Sequence, residues 1–179
     1  MKILLIEPYY TGSHKQWADG YKKYSSHEIR ILSMKGQFWK WRMHGGAVTM
    51  AIEFNKMNWS PDLILTTDML DLTTFLSLTR KKTDNIQTII YFHENQISYP
   101  WSPNDRDIKQ KRDSHYGFIN YSSALASDRI LFNSSFHMNS FLNSLPLFLR
   151  QFPDYQELDT INSIRNKAKV LYLGMDLKI

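Results

Sequence analysis

Short apolar runs alternate with longer amphipathic stretches along this chain. The run Ile3-Leu4-Leu5-Ile6 lies within Lys2 to Tyr9, is too short for a helix, and predicts a buried first strand. After a loop over Tyr10 to Ser13, the stretch His14 to Tyr24 sets Trp17, Ala18 and Tyr21 on one face, which predicts a helix with Ser13 as its N-cap. Glu28 to Met34 alternates as a second strand, and Ala47 to Lys56 is helical until Asn58-Trp59-Ser60-Pro61 breaks it. Leu63 to Thr67 is a strand, followed by a helix that begins over Asp68 to Asp71 and runs to about Arg80. Arg80-Lys81-Lys82 at its end reads as a solvated cap that suits the helix dipole.

The run Ile86 to Phe92, mostly β-branched or aromatic, predicts a buried parallel strand. Tyr116 to Ala126 reads as a helix and Arg129 to Phe132 as a short strand. Phe136 to Phe152 is amphipathic, with Pro146 expected to interrupt or kink it. Asp159 to Asn166 gives a last helix before the strand Lys169 to Leu173. Trp101 to Ser114 is polar and mixed in charge, the composition of a mobile loop or exposed helix beside a site. About six strands alternating with helices predict an α/β fold, a three-layer Rossmann-like domain with a mainly parallel sheet, spanning residues 1–179 as one unit.

Composition narrows the chemistry. There are no cysteines, so disulfides, thiolate metal sites and cysteine nucleophiles are excluded. Glu7 and Pro8 end the first apolar run before a signal sequence could form, and no run approaches the ~18 apolar residues of a membrane span. A soluble cytoplasmic monomer is therefore expected, with no membrane partner. The formal net charge of +5 leans toward a polyanion or a phosphorylated ligand.

The most informative stretch is Tyr91-Phe92-His93-Glu94-Asn95-Gln96-Ile97-Ser98-Tyr99-Pro100, where an apolar strand gives way to hydrogen-bonding side chains. Ligands of open α/β sheets gather beyond the carboxyl ends of strands, which is where His93, Glu94 and Asn95 would sit. His93 either caps neighbouring backbone groups or faces a ligand. A zinc protease is disfavoured, because Ile97 stands where H-E-x-x-H needs its second histidine. A dinucleotide site is disfavoured too, since Gly12 is the lone glycine of the first turn. Gly12 suits a tight turn with positive φ, and the free N–H groups behind it could receive a phosphate. Trp39-Lys40-Trp41-Arg42 either stacks on bases and meets phosphates, or anchors a loop through Phe38 and Trp41 while its basic residues are solvated.

Four stretches together resemble one family: Gly12-Ser13-His14-Lys15-Gln16, Trp39-Lys40-Trp41-Arg42, Tyr91 to Gln96 with Tyr99-Pro100, and Phe132-Asn133-Ser134 with Asn139-Ser140-Phe141-Leu142. They resemble the N-terminal domain of the tRNA-queuosine α-mannosyltransferases, a branch of retaining glycosyltransferase family 4 with the GT-B fold. The likeness runs through nearly the whole chain. The ending Val170 to Asp176 is similar to the last strand and turn before the second domain of such enzymes, with Leu173 where Asn is usual.

The resemblance implies transfer of mannose from GDP-mannose to queuosine in tRNA with retention of configuration. It implies an acceptor-side domain here and a donor-binding second domain, and no turnover by residues 1–179 alone. By the same resemblance His93 is the catalytic contact to the transferring sugar, and Gly12, Ser13, His14, Lys15, Asn133 and Ser134 border the donor. Trp39, Lys40, Trp41, Arg42, Glu94, Asn95, Gln96 and Tyr99 border the acceptor. His14, Lys15, Asn133 and Ser134 are second contacts or merely structural. No metal and no cofactor beyond the nucleotide-sugar are implied. A non-catalytic α/β module that binds RNA or a phosphorylated metabolite is the competing reading.

Overall fold

The computed structural model describes residues 1–100 and 115–174; the expectations for 101–114 and for Met175-Asp176 lie outside the described residues. Six parallel strands form one sheet in the order β2-β1-β3-β4-β5-β6: β1 Lys2–Tyr10, β2 Glu28–Lys35, β3 Leu63–Thr67, β4 Gln87–Phe92, β5 Arg129–Phe132 and β6 Ala168–Val170. Among the described residues six helices connect them: α1 Gly12–Tyr24, α2 Trp39–Lys56, α3 Leu72–Thr83, α4 His115–Ala126, α5 Ser135–Leu149 and α6 Thr160–Lys167. The Rossmann-like three-layer α/β class read from the sequence is the observed one.

Strand alternation sorts the helices. Leu4 and Ile6 of β1 and Ile64 of β3 face Ala47, Met50 and Phe54 of α2 and Phe75 of α3. On the same side Ile90, Phe92, Ile130 and Phe132 meet Tyr121 of α4, Phe141 and Leu145 of α5, and Ile161 and Ile164 of α6. The intervening positions Ile3, Leu5, Leu65 and Tyr91 point the other way, toward Ala18, Trp17 and Tyr21 of α1. The face carrying Trp17, Ala18 and Tyr21 is thus the packed one, as their spacing predicts.

Several boundaries differ from expectation. Helix α1 starts at Gly12 with Thr11 as its N-cap, not Ser13, and the Thr11 side chain makes no capping bond. Gly12 has φ +50, so the turn falls in the left-handed region where glycine carries no Cβ penalty. Trp39-Lys40-Trp41-Arg42 is not a loop: it forms the first turn of α2, eight residues before the helix read from sequence at Ala47. Aromatic residues and Gly45-Gly46 hide that turn from a propensity reading, but the Trp41 ring lies so close over Gly45 that an added Cβ would come within 2.5 Å of it.

Phe38 and Trp41 do not anchor onto the core; they are 75% and 60% exposed. Pro146 neither breaks nor ends its helix: α5 forgoes the one bond the proline nitrogen cannot donate and continues to Leu149, and Arg150 N–H donates to the Pro146 carbonyl at 3.2 Å. Asp71 caps α3 by accepting from Thr74 N–H at 3.0 Å, and the helix starts only at Leu72. Of the basic residues that end α3, Lys82 reaches across to the end of α2 and donates to the carbonyls of Asn55 and Met57, each at 2.8 Å. The last strand is shorter than expected, ending at Val170, although Leu171 N–H still donates to Phe132 at 2.9 Å.

Candidate functional site

Strand order reverses at β1, which has β2 on one side and β3 on the other, and a crevice opens at the carboxyl ends of strands around such a point. The ends of β1, β3, β4 and β5 bring Glu7, Asp68, His93 and Asn133 there, with His14 arriving on the first turn of α1. The backbone N–H of His93 donates to Asp68 Oδ1 at 2.8 Å, and its carbonyl accepts from Asn133 Nδ2 at 2.8 Å. His93 is thereby tied to both neighbouring strand ends.

The rest of that loop is held by its own polar residues. Asn95 Oδ1 accepts from the N–H groups of Ile97 at 3.1 Å and Ser98 at 2.8 Å, closing a turn. Gln96 N–H donates to the buried Asn120 at 2.8 Å, and the Gln96 side chain donates to Glu94 at 3.2 Å. Asn95 and Gln96 are buried, while Glu94 is half-buried and Tyr99 exposed. Ser134 caps α5 by accepting from His137 N–H at 3.1 Å, and His137 Nδ1 sits 3.0 Å from Asn133 Oδ1. Thus Asn95, Asn133 and Ser134 all shape the loop and the helix start.

Glu7, which sequence reasoning passed over, is fully buried. One carboxylate oxygen accepts from Tyr9 N–H at 2.9 Å and the other lies 3.0 Å from His14 Nδ1. The only sequence signal was an acidic residue at the end of an apolar strand. The His14 ring lies 4.3 Å from that of His93, which is further enclosed by Trp17 edge-on at 4.8 Å and Tyr91 at 4.9 Å. Among the described residues His93 Nε2 is buried without a hydrogen-bond partner.

The neighbouring imidazoles are driven apart in charge. Burial alone would lower the pKa of His14, but its hydrogen bond and ion pair with Glu7, helped by Asp68 and Glu94, raise it to about 9. Burial, then the charges of His14 and His137, push His93 down to about 3. Burial raises Asp68 to about 7, against the pull of His14 and the His93 N–H. One carboxylate and two imidazoles, Glu7, His14 and His93, offer donor atoms within 4.8 Å of one another. Such a set has the ligand types a divalent ion takes, and within it Glu7 Oε2 and His14 Nδ1 are already engaged with each other at 3.0 Å.

An open pocket of about 410 Å³ borders His93 and is lined by Glu94, Asn95, Ser98, Tyr99, Asn133, Ser134, Phe136 and His137. Phe136 is 83% exposed at its rim. Lys15 is engaged elsewhere, paired with Asp19 and lying over the Tyr10 ring, while Gly12 and Ser13 stay exposed at the head of α1. The Trp39 to Arg42 turn builds a separate patch at the same end of the sheet. There Trp39 packs 5.3 Å from Tyr116, Lys40 lies over both rings, Arg42 Nε donates to Lys35 O at 3.1 Å, and His44 meets His115 at 3.3 Å.

An open doubly wound α/β domain with its polar constellation at the switch point is built to hold a ligand at the carboxyl edge of its sheet. Residues 2–175 match the family described as tRNA-queuosine alpha-mannosyltransferase N-terminal, and the chain belongs to that family. It is also similar to a Drosophila melanogaster protein named tRNA-queuosine alpha-mannosyltransferase, with 36% identity over 180 residues. That match covers 98% of this chain and 45% of the Drosophila protein, so the chain spans about half the length of this curated relative. No described helix is long and apolar enough to cross a membrane.

Proposed function

We propose that this chain is the acceptor-side half of a retaining GT-B mannosyltransferase, acting as a cytoplasmic monomer, that moves mannose from GDP-mannose to queuosine in tRNA. The observation that carries the reading is the family match over residues 2–175, which takes in every element that builds the His93 pocket. A second domain of the same protein supplies most of the donor contacts. The sugar C1–phosphate bond breaks, a bond from C1 to the acceptor oxygen forms, and the acceptor hydroxyl proton passes to the departing diphosphate.

The geometry supports a division of labour. His93 is neutral, so it can hydrogen-bond the sugar without placing positive charge beside a carbon that becomes oxocarbenium-like. Gly12, Ser13 and His14 at the head of α1 stand where N–H groups meet a phosphate. Glu94, Tyr99 and Phe136 border the space for the acceptor nucleoside, with Asn95 and Gln96 acting through the loop they hold. Trp41 and Phe38 are free to stack on tRNA bases while Lys40 and Arg42 lend positive charge. No metal is required by this chemistry.

The test is to incubate the full-length protein with labelled GDP-mannose and tRNA carrying queuosine. Label is expected on that tRNA and not on tRNA with unmodified guanosine at the same position. Transfer from UDP-sugars but not from GDP-mannose would replace the donor assignment, and transfer to neither tRNA would overturn the function.

A further inference from the structure

The stacked imidazoles His14 and His93 are neighbours with opposite charge preferences, and a pair pushed apart in this way marks two distinct chemical roles. Glu7 raises the pKa of His14, while burial first and the His14 charge after it keep that of His93 low. The Glu7 carboxylate is fully buried, its two oxygens are taken by Tyr9 N–H and His14 Nδ1, and no other described cation pairs with it. A buried carboxylate is costly unless paired, so the pair fixes both the charge and the orientation of the His14 ring. That ring, at the first turn of α1 beside the positive-φ Gly12, lies against His93.

We propose that Glu7 is a positioning residue: by holding His14 as an imidazolium locked against His93, it makes His14 the charged contact for the departing phosphate and leaves His93 the neutral contact to the sugar. Placing a fixed cation where the leaving group gains charge stabilises the transition state more than the ground state. The groups that face His14 are Glu7 and Tyr9 from β1, Asp68 beyond β3, and His93 and Glu94 beyond β4; His137 of α5 bears on His93. Of these, Glu7 alone bonds the ring. The role assigned to Glu7 rests on the mannosyltransferase reading; the state of the His14 ring does not.

The experiment uses the full-length protein with isotope-labelled histidine rings and compares the wild type with Glu7→Gln, which keeps the shape of the side chain and removes its charge. His14 is followed by NMR from about pH 5 to 10, and kcat and the KM for tRNA are measured over the same range. In the wild type His14 should titrate well above an ordinary histidine, and the alkaline fall of kcat should coincide with it. In Glu7→Gln both should move to lower pH together, with kcat at neutral pH reduced about tenfold to a hundredfold and the KM for tRNA nearly unchanged.

A variant that melts earlier but keeps the wild-type alkaline limb would make the pair a structural strut and overturn the proposal. So would a wild-type His14 that titrates at the ordinary value. Should Glu7→Gln not fold, the wild-type comparison decides alone: coincidence of the kcat limb with the His14 titration supports the proposal, and separation overturns it. A wild type that transfers no sugar would overturn the proposed function instead, and the His14 titration would still decide whether Glu7 holds the ring charged.

Discussion

The carboxylate of Asp68, at the end of β3, accepts the backbone N–H of His93, at the end of β4, across 2.8 Å. This bond sets the direction in which the chain leaves the sheet and so where the His93 ring lies. Its acceptor is buried, and burial raises the Asp68 pKa from 3.8 to about 7. A folded-state pKa above the unfolded one means that the stabilising contribution is complete below about pH 3.8 and is lost as pH rises through 7. Asp68→Asn keeps an acceptor oxygen and carries no charge at any pH. Relative to the wild type it should therefore gain stability between pH 4 and pH 8, by on the order of 4 kcal/mol, in urea titrations at the two pH values. Equal differences at both would contradict a buried, titrating Asp68.

Lys82 gives a second expectation. Its ammonium joins the end of α3 to the open carbonyls of Asn55 and Met57 at the end of α2. Lys82→Met retains much of the apolar stem and loses those bonds, and should cost about 1 kcal/mol. The readout is the urea midpoint with an unchanged slope. A loss no greater than that of Lys81→Met, its equally exposed neighbour, would return Lys82 to the solvated cap suggested by sequence.

That contrast shows what the sequence carried and what it did not. Periodicity located β1, β3, β4 and β5 because each is a short apolar run, and the parallel α/β class followed. It missed the first turn of α2, because Trp39 and Trp41 look like loop aromatics until the ring of Trp41 is seen over Gly45. In the site, His93 was legible as the first polar residue after a strand. Glu7 and Asp68 were not, since a single acidic residue at a strand end carries no spacing signal; its meaning lies in a partner from another strand or helix. Asn95 and Gln96 show the converse: polar residues beside a site that mainly fasten its loop.

Phe38 holds a positive φ of 53 at the head of α2 with its side chain 75% exposed. A non-glycine residue in this region is strained, so Phe38→Gly should raise stability by up to about 1 kcal/mol, less the extra freedom glycine gains in the unfolded chain. If the ring is kept for stacking on RNA, the same change should weaken tRNA binding by about tenfold, as should Trp41→Ala. Filter binding and thermal melts on the two variants check both halves. A more stable protein with unchanged tRNA affinity would leave the exposed ring without a role in RNA binding.

The proposed role of His93 as the neutral contact to the transferring sugar is tested most directly by single-turnover mannose transfer by full-length wild type and His93→Ala at saturating tRNA and GDP-mannose. The fold should survive, because the bonds that hold the chain here use the backbone N–H and carbonyl of residue 93 rather than its ring. The rate of the chemical step should fall by roughly 10² to 10³, the scale for losing one transition-state contact, with tRNA affinity little changed. A His93→Ala enzyme that transfers mannose at the wild-type rate would contradict the account.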